Sequence, residues 1–506
     1  MRVAAIGALV EFLLASPAYA APDARSVLRA AASMMGRLGG PSNTEAIGRI
    51  DAEGRSGDHE EVVRPRDGAF RISDRYTLFT EGEGFDGRQH WKLDRSGATH
   101  LLNAPFTMAT TITEDWVKRR GYLQPGSARL ETRTREQIGD RWATVLTMRP
   151  RGGNAVRLAF DEATHLLVRA VWDRPFSTIT ETYGDYRSVG GFKMPFKVQI
   201  EESGDRAEIS IERYSRLKPS SIAFARPRPP ADTAISGPAT LPMDALSFAV
   251  VPATINGHQY DFILDTGGHN IITPSVADAL GLTGEGKGSS GGSGEGRVAT
   301  SDTRISELRL GSATMTDQHF TILDLDGAVK RKGKPDIAGI LGLEVFERMT
   351  VTIDEPHNRL TIEPSRPGRV CEGERIPLLF DDDQPAVRGT IDGIPAQIGI
   401  DVGNGGIPIV LWRWAEAHKV ADRYSNGIKG EGHGVGGSNV TFRTPHHDIA
   451  IGKITLRDVD VNDATSNAGY FSSRSDSMNL GHALLQKYVV RFDYAQGNMC
   501  VMVPKS

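Results

Sequence analysis

One stretch of this chain is written twice. The run from Tyr260 to Gly268 (Tyr-Asp-Phe-Ile-Leu-Asp-Thr-Gly-Gly) returns in weaker form from Ala396 to Asn404 (Ala-Gln-Ile-Gly-Ile-Asp-Val-Gly-Asn). Each copy drives an apolar strand into a carboxylate at a glycine turn. If two such turns meet across a pseudo-twofold axis, Asp265 and Asp401 stand side by side. Two carboxyls that close cannot both ionise, so they share a proton. A shared-proton carboxylate pair is suited to activating water.

The order of elements downstream of each copy argues that the repeat is structural. After Asp265 come Thr273-Pro274, which read as the N-cap and first position of a short helix closed by Gly281. A glycine-rich segment from Gly284 to Gly296 comes next, then a strand at Ile305–Leu310, then the apolar run Asp336–Phe346 with Gly342 at its turn. The second copy gives a helix-like Val410–Val420, a glycine-rich Gly430–Gly437, a strand at Asp448–Ile451 and the turn at Gly481. Asp265 precedes Gly342 by 77 positions and Asp401 precedes Gly481 by 80. Matching order and near-matching spacing indicate an internal duplication. The two glycine-rich segments supply no apolar anchors, and the reading is of mobile segments, at least one of which closes over a cleft.

With these motifs in place, each half resembles a lobe of a retropepsin-like or pepsin-like aspartic peptidase, and the region from about Leu241 to Ser506 resembles a single-chain, two-lobed aspartic peptidase of the bacterial kind. That resemblance implies Asp265 and Asp401 as the catalytic dyad and a peptide or protein as substrate. It also implies that Thr266, Gly267, Val402 and Gly403 support the dyad, the glycines by letting backbone approach the carboxylates. Valine at 402 departs from the family pattern of Thr or Ser. On this reading Thr266 loses its hydroxyl partner across the lobes, and a catalytically degenerate peptide- or lipid-binding protein stays open as the alternative.

The preceding 200 residues have a different texture. A helical opening at Asp23–Leu38, with Val27, Leu28, Ala31, Met34 and Met35 on one side, gives way to alternating runs at Arg157–Phe160, Leu166–Trp172, Tyr183–Ser188 and Phe192–Ile200. Short turns join them, so the pattern predicts an antiparallel meander. Gly84–Trp91 and Gly191–Pro195 resemble turns of periplasmic lipoprotein-carrier half-barrels, which implies a lipid or lipoprotein contact through this region. Ala225–Asp232 is Pro-rich and reads as an extended linker. The expected organisation is a signal peptide at 1–20, an antiparallel β domain at 21–224, a linker at 225–240, and peptidase lobes at 241–368 and 369–506. The expected class is therefore mainly β: a two-lobed β-barrel module behind an N-terminal β-meander.

At 506 residues the chain exceeds what one core serves. A net charge of −4 leaves no electrostatic footprint for nucleic acid or an anionic membrane. Arg2, the apolar run Val3–Leu14 and Ala18-Tyr19-Ala20 read as a secretory signal, the run being too short and, with Glu11, too interrupted to span a bilayer. The mature chain is expected to begin near Ala21, without an integral membrane segment, in a periplasm or outside the cell. Cys371 and Cys500 are the only cysteines; a disulfide and two buried thiols both fit, and a zinc site lacks ligands.

No metal or cofactor is expected. Gly286–Gly291 matches a dinucleotide pattern and Gly281–Gly288 approaches a phosphate loop, but neither opens a helix after a strand. Gly288–Gly292 matches a nucleophile elbow without its strand-to-helix setting. Lys330–Lys334 reads as a solvated loop, His433, His446 and His447 as surface residues, and Asp381–Asp383 as a polar turn, with calcium a distant alternative.

Overall fold

The computed structural model describes residues 23–36, 42–218, 224–244, 248–325, 330, 331, 333–464 and 469–505. The expected signal peptide lies outside the described residues, as does Lys332. The fold is mainly β.

Thirteen antiparallel strands form the first sheet. Two meanders run outward from its middle, where Asn43–Ala52 pairs with Asp205–Leu217 and Ile50 sits opposite Ile209. One ends at Thr99–Leu102 and the other at Ala128–Ile138. The strands at Val156–Asp161, Leu167–Asp173, Thr178–Val189 and Phe192–Glu202 follow the alternation read from sequence. Helix Ala24–Met35, capped by the Asp23 carboxylate on the Ser26 N–H, buries Ala24, Ala31 and Met35. Met34, expected on the same face, is 45% exposed, because it falls one position off the stripe that Ala31 and Met35 define at i, i+4. A second helix, Pro105–Lys118, carries Trp116 and Val117 into the same core cluster.

The duplicated region folds as two eight-stranded sheets and a six-stranded sheet between them. In each eight-stranded sheet the strand that ends in the repeated aspartate runs parallel to a later apolar strand. Leu264 lies beside Leu341 in one and Ile400 beside Leu480 in the other. Gly342 and Gly481 turn the later strands into the helices Leu343–Arg348 and His482–Leu485. A Cβ at Gly342 would stand 2.2 Å from the Gly268 carbonyl oxygen, and one at Gly481 2.1 Å from that of Asp401, so no side chain fits at either turn.

The six-stranded sheet takes Ala239–Pro242, Thr350–Asp354 and Arg359–Glu363 from the first half and Glu374–Pro377, Val489–Asp493 and Asn498–Met502 from the second. The halves join at Val351 opposite Phe492. Cys371 and Cys500 form a disulfide across 129 residues, which decides between the two states left open by sequence. A single core cluster runs through both halves, from Phe262 and Phe346 to Ile400, Val402 and Phe492.

Two local expectations change. Val410–Val420 is not helical throughout: Ile409–Leu411 is a strand parallel to Ile454–Ala464, and the helix is only Trp412–Ala417. The β-branched pair Ile409-Val410 pairs in the sheet before the helix begins. The Pro-rich segment does run extended, but it continues into edge strands, Thr233–Ile235 against Ala313–Leu323 and Ala239–Pro242 against Arg359–Glu363.

Candidate active site

Asp265 and Asp401 leave their strands at matching points. The Asp265 N–H donates to the Leu341 carbonyl at 3.0 Å and the Asp401 N–H to the Leu480 carbonyl at 2.9 Å. Each carboxylate then receives the N–H two residues on, Gly267 at 2.7 Å and Gly403 at 2.9 Å. A Cβ at Gly403 would lie 2.5 Å from the Asp265 Cγ, and one at Gly267 3.1 Å from the Asp401 Cγ. Each glycine turn is thus pressed against the opposite aspartate, and the carboxyls come within reach of a shared hydrogen bond. Burial first, and the Asp401 charge second, push the Asp265 carboxyl well above the ordinary range. The structure therefore brings together all six residues singled out by sequence.

The reading of Val402 needs correction. Thr266 is fully buried, and its hydroxyl donates to the Ile400 carbonyl at 2.6 Å and accepts from the Val402 N–H at 3.0 Å. It lacks no partner, because what it grips across the pseudo-twofold axis is backbone, and a valine has the same backbone. Val402 itself is 2% exposed and packs in the shared core. Only a reciprocal grip from the second lobe is missing.

Other residues around the dyad were not legible from sequence. Asn479 donates from Nδ2 to Asp401 Oδ2 at 2.6 Å and is itself oriented by Asn404 at 2.7 Å. Gln384 Nε2 donates to the Gly267 carbonyl at 2.6 Å. His269, two residues past Gly267, places Nδ1 2.9 Å from Glu344 and Nε2 3.2 Å from Asp383. Burial opposes charge on this imidazole, but Glu344 and then Asp383 outweigh it and hold the ring protonated. Asp383 also meets Lys92 at 2.7 Å and His100 at 3.3 Å. Burial would raise its carboxyl, yet Lys92, His100 and His269 hold it well below the carboxylate range.

Asp381–Asp383 is therefore not simply a polar turn. Asp381 is buried against Thr107 and Gln397, and Asp382 and Asp383 anchor the first sheet to the second lobe. Nothing local in Phe-Asp-Asp-Asp-Gln marks that role, since the partners lie up to 291 positions away.

Two hairpins cover the site: Glu285–Ser290 with Val298–Leu310, and Ile428–Gly434 with Gly437–Ile451. Their tips touch. Gly294 and Gly296 donate to the carbonyls of Val435 and Gly436 at 3.0 and 2.8 Å, and the Asn439 side-chain amide donates to the Ser293 carbonyl. The expectation that neither segment has an apolar anchor fails at Val435, which packs beside Val298 against the Leu323–Ile340 cluster. The first hairpin continues as strand rather than opening a helix, and this geometry also removes the phosphate-loop and nucleophile-elbow matches. His433, His446 and His447 do not converge, pairing instead with Ser438, Asp458 and Asp392, and His447 is buried rather than on the surface.

Among known proteins, a family model described as aspartyl protease matches residues 251–345, the stretch that holds Asp265 but not Asp401. The chain thus contains an aspartyl-protease-like domain. No curated protein matches it. Among solved structures, the crystal structure of aspartic proteinase from Irpex lacteus is similar at 12% identity and a TM-score of 0.37, over 53% of this chain and 98% of that one, a likeness too slight to bear on function.

Proposed function

We propose that this chain is an aspartic endopeptidase that hydrolyses peptide bonds with a water held between Asp265 and Asp401. The observation that carries the reading is the half-buried pair of adjacent carboxyls in a cleft roofed by two touching hairpins. Asp401 receives N–H donors from Gly403 and Asn479, so the negative charge of the pair is best held there, while Asp265 keeps the proton. In the reaction Asp401 takes a proton from water as its oxygen attacks the scissile carbonyl carbon. Asp265 donates its proton to the carbonyl oxygen, giving a neutral tetrahedral diol. Collapse passes a proton to the leaving nitrogen and restores the pair. The Thr266 grip on the Ile400 and Val402 backbone keeps the two aspartates in register, which supports catalysis over a site that only binds.

We also place the mature protein outside the cytoplasm. The secretory reading of residues 1–20 and the Cys371–Cys500 disulfide both support an oxidising compartment. Among the described residues no helix is long and apolar enough to cross a membrane.

The test is digestion of a peptide library by the purified mature protein at acidic and neutral pH, beside Asp265→Asn and Asp401→Asn. Cleavage that disappears in both variants is expected. Cleavage that survives in Asp401→Asn would end the two-carboxylate mechanism.

A further inference from the structure

The cleft over the dyad does not end at the peptidase lobes. One continuous cavity of about 2160 Å³ is lined at one side by Asp265 and Asp401 and at the other by Tyr183, Tyr186, Val198 and Ile200 of the thirteen-stranded sheet. Pockets that hold a small ligand run to about 300–1,000 Å³, so this space is large for one side chain or one compact molecule. The two surfaces are held together at several points. The Lys287 N–H donates to the Glu53 carbonyl at 2.7 Å, tying the first hairpin to a turn of the sheet. Lys92 meets Asp383 at 2.7 Å, and Ser472 Oγ donates to the Phe176 carbonyl at 2.7 Å, with Tyr470 stacked on the Phe176 ring at 5.6 Å. The sheet is a fixed wall of the same cleft.

The chemistry of that wall selects its occupant. Half-buried Tyr183, Tyr186, Val198 and Ile200 offer apolar surface. Among them stand charged pairs, Lys118 with Glu61 at 2.6 Å and Arg174 with Glu114 at 3.0 Å, which also line the cavity. Hydrocarbon laid over such pairs would strip their water without offering hydrogen bonds, which is costly. An extended polypeptide offers both apolar side chains and backbone donors and acceptors at alternate positions.

We infer that the cavity-lining face of the thirteen-stranded sheet is an exosite for the peptidase substrate: polypeptide beyond the residues at the dyad lies along Tyr183, Tyr186, Val198 and Ile200, so long chains are bound and cleaved in preference to short ones. The inference rests on the peptidase reading for the identity of the substrate. Its binding half stands without cleavage.

The experiment uses two peptides with one shared cleavable core, about 8 and about 24 residues long, which span about 26 and 80 Å when extended. Binding to the full-length Asp265→Asn protein is read by fluorescence anisotropy, and kcat/KM is read with the unsubstituted protein. The long peptide is expected to bind and react about tenfold better or more, a difference of about 1.4 kcal/mol. The double variant Val198→Arg, Ile200→Arg is expected to remove that advantage and leave the short peptide within about twofold. Equal values for both peptides in the unsubstituted protein overturn the exosite while leaving the peptidase standing. Long-peptide binding without any cleavage overturns the peptidase and leaves the exosite. Should the double variant misfold, a photoreactive p-benzoylphenylalanine at Tyr183 decides the matter. An adduct on peptide residues outside the core is expected, and its absence from a bound long peptide, or its displacement by oleate while peptide stays bound, overturns the proposal in favour of an unrelated surface or a lipid site.

Discussion

The two lobes were built from one pattern and have come to do different things with it. In the first, Thr266 sends its hydroxyl across the axis and Asp265, half-buried with one backbone donor, is driven toward the protonated state by desolvation and then by Asp401. In the second, Val402 sends nothing back, but Asn479 stands where the first lobe has Ile340 and adds a side-chain donor to Asp401. One lobe supplies the grip and the other supplies the polar setting for charge. A motif that looks degraded when its letters are counted is, in space, one half of an unequal pair.

The largest effect that could break this comparison is at the carboxylates. Asp265→Asn and Asp401→Asn should each lower kcat/KM by about a thousandfold or more, since each would remove one partner of the proposed proton relay. Should one variant retain most of its turnover on a cleavable peptide, the lobes are unequal in a stronger sense than proposed, with only one of them catalytic.

Asn479→Leu sharpens the division of roles. It removes a hydrogen bond to a carboxylate in a buried site, an interaction of about 1.5–3 kcal/mol, so kcat should fall by about 10–100-fold. Without that donor the ionised form of the pair is harder to reach, and the acidic limb of the pH–rate profile should move upward. An unchanged profile would show that the charge is not held on Asp401.

The grip predicts a smaller, asymmetric result. Thr266→Val leaves the Ile400 carbonyl and the Val402 N–H without their partner and should cost about 1–3 kcal/mol of stability, read as a lower Tm. Val402→Thr should gain less, about 0.5–1.5 kcal/mol, by offering the reciprocal bond to the first-lobe backbone, with a modest rise in single-turnover rate. A Val402→Thr protein that is slower would mean that the packing of Val402 matters more than the missing hydroxyl.

The smallest effect is on the pH dependence of folding. Asp381, raised to about 8 by burial and then by Asp476, and Asp265, raised by burial and then by Asp401, bind protons in the folded state that the unfolded chain gives up near pH 4. His100 reaches about 9 because its bonds to Asp383 and Glu347 outweigh the burial that opposes its charge. All three have folded-state values above the unfolded ones, so the stability they confer is lost as pH rises, up to about pH 8 for Asp381 and about pH 9 for His100. Tm should therefore be lower at about pH 8.5 than at about pH 6 by a few degrees, roughly 2–4 °C per kcal/mol. Asp381→Asn should flatten part of that slope, and a Tm that rises over this interval would contradict the assignment.

The range of each interaction sets how much of this was readable in the chain. The meander strands and the paired glycine turns are local matters of alternation and of backbone with no room for a Cβ, and the sequence states them directly. Thr266 was legible as a residue but not as a bond, because its partners are main-chain groups that any side chain at 402 would present. Val435 was hidden in a glycine-rich run whose composition reads as loose, although one valine suffices to anchor a tip when a cluster waits for it.

The sequence by itself determined that two apolar strands each end in an aspartate at a glycine turn, and that the duplicated order would bring those turns together. Periodicity and turn chemistry act over a few residues, and duplication carries them twice. Only the tertiary structure decided that His269, Asp383 and Lys92 form one charged chain into the first sheet, that Asn479 serves Asp401, and that the sheet closes one side of the cleft. Those contacts join residues up to hundreds of positions apart, and ion pairs and hydrogen bonds depend on distances of a few ångströms that no local pattern encodes.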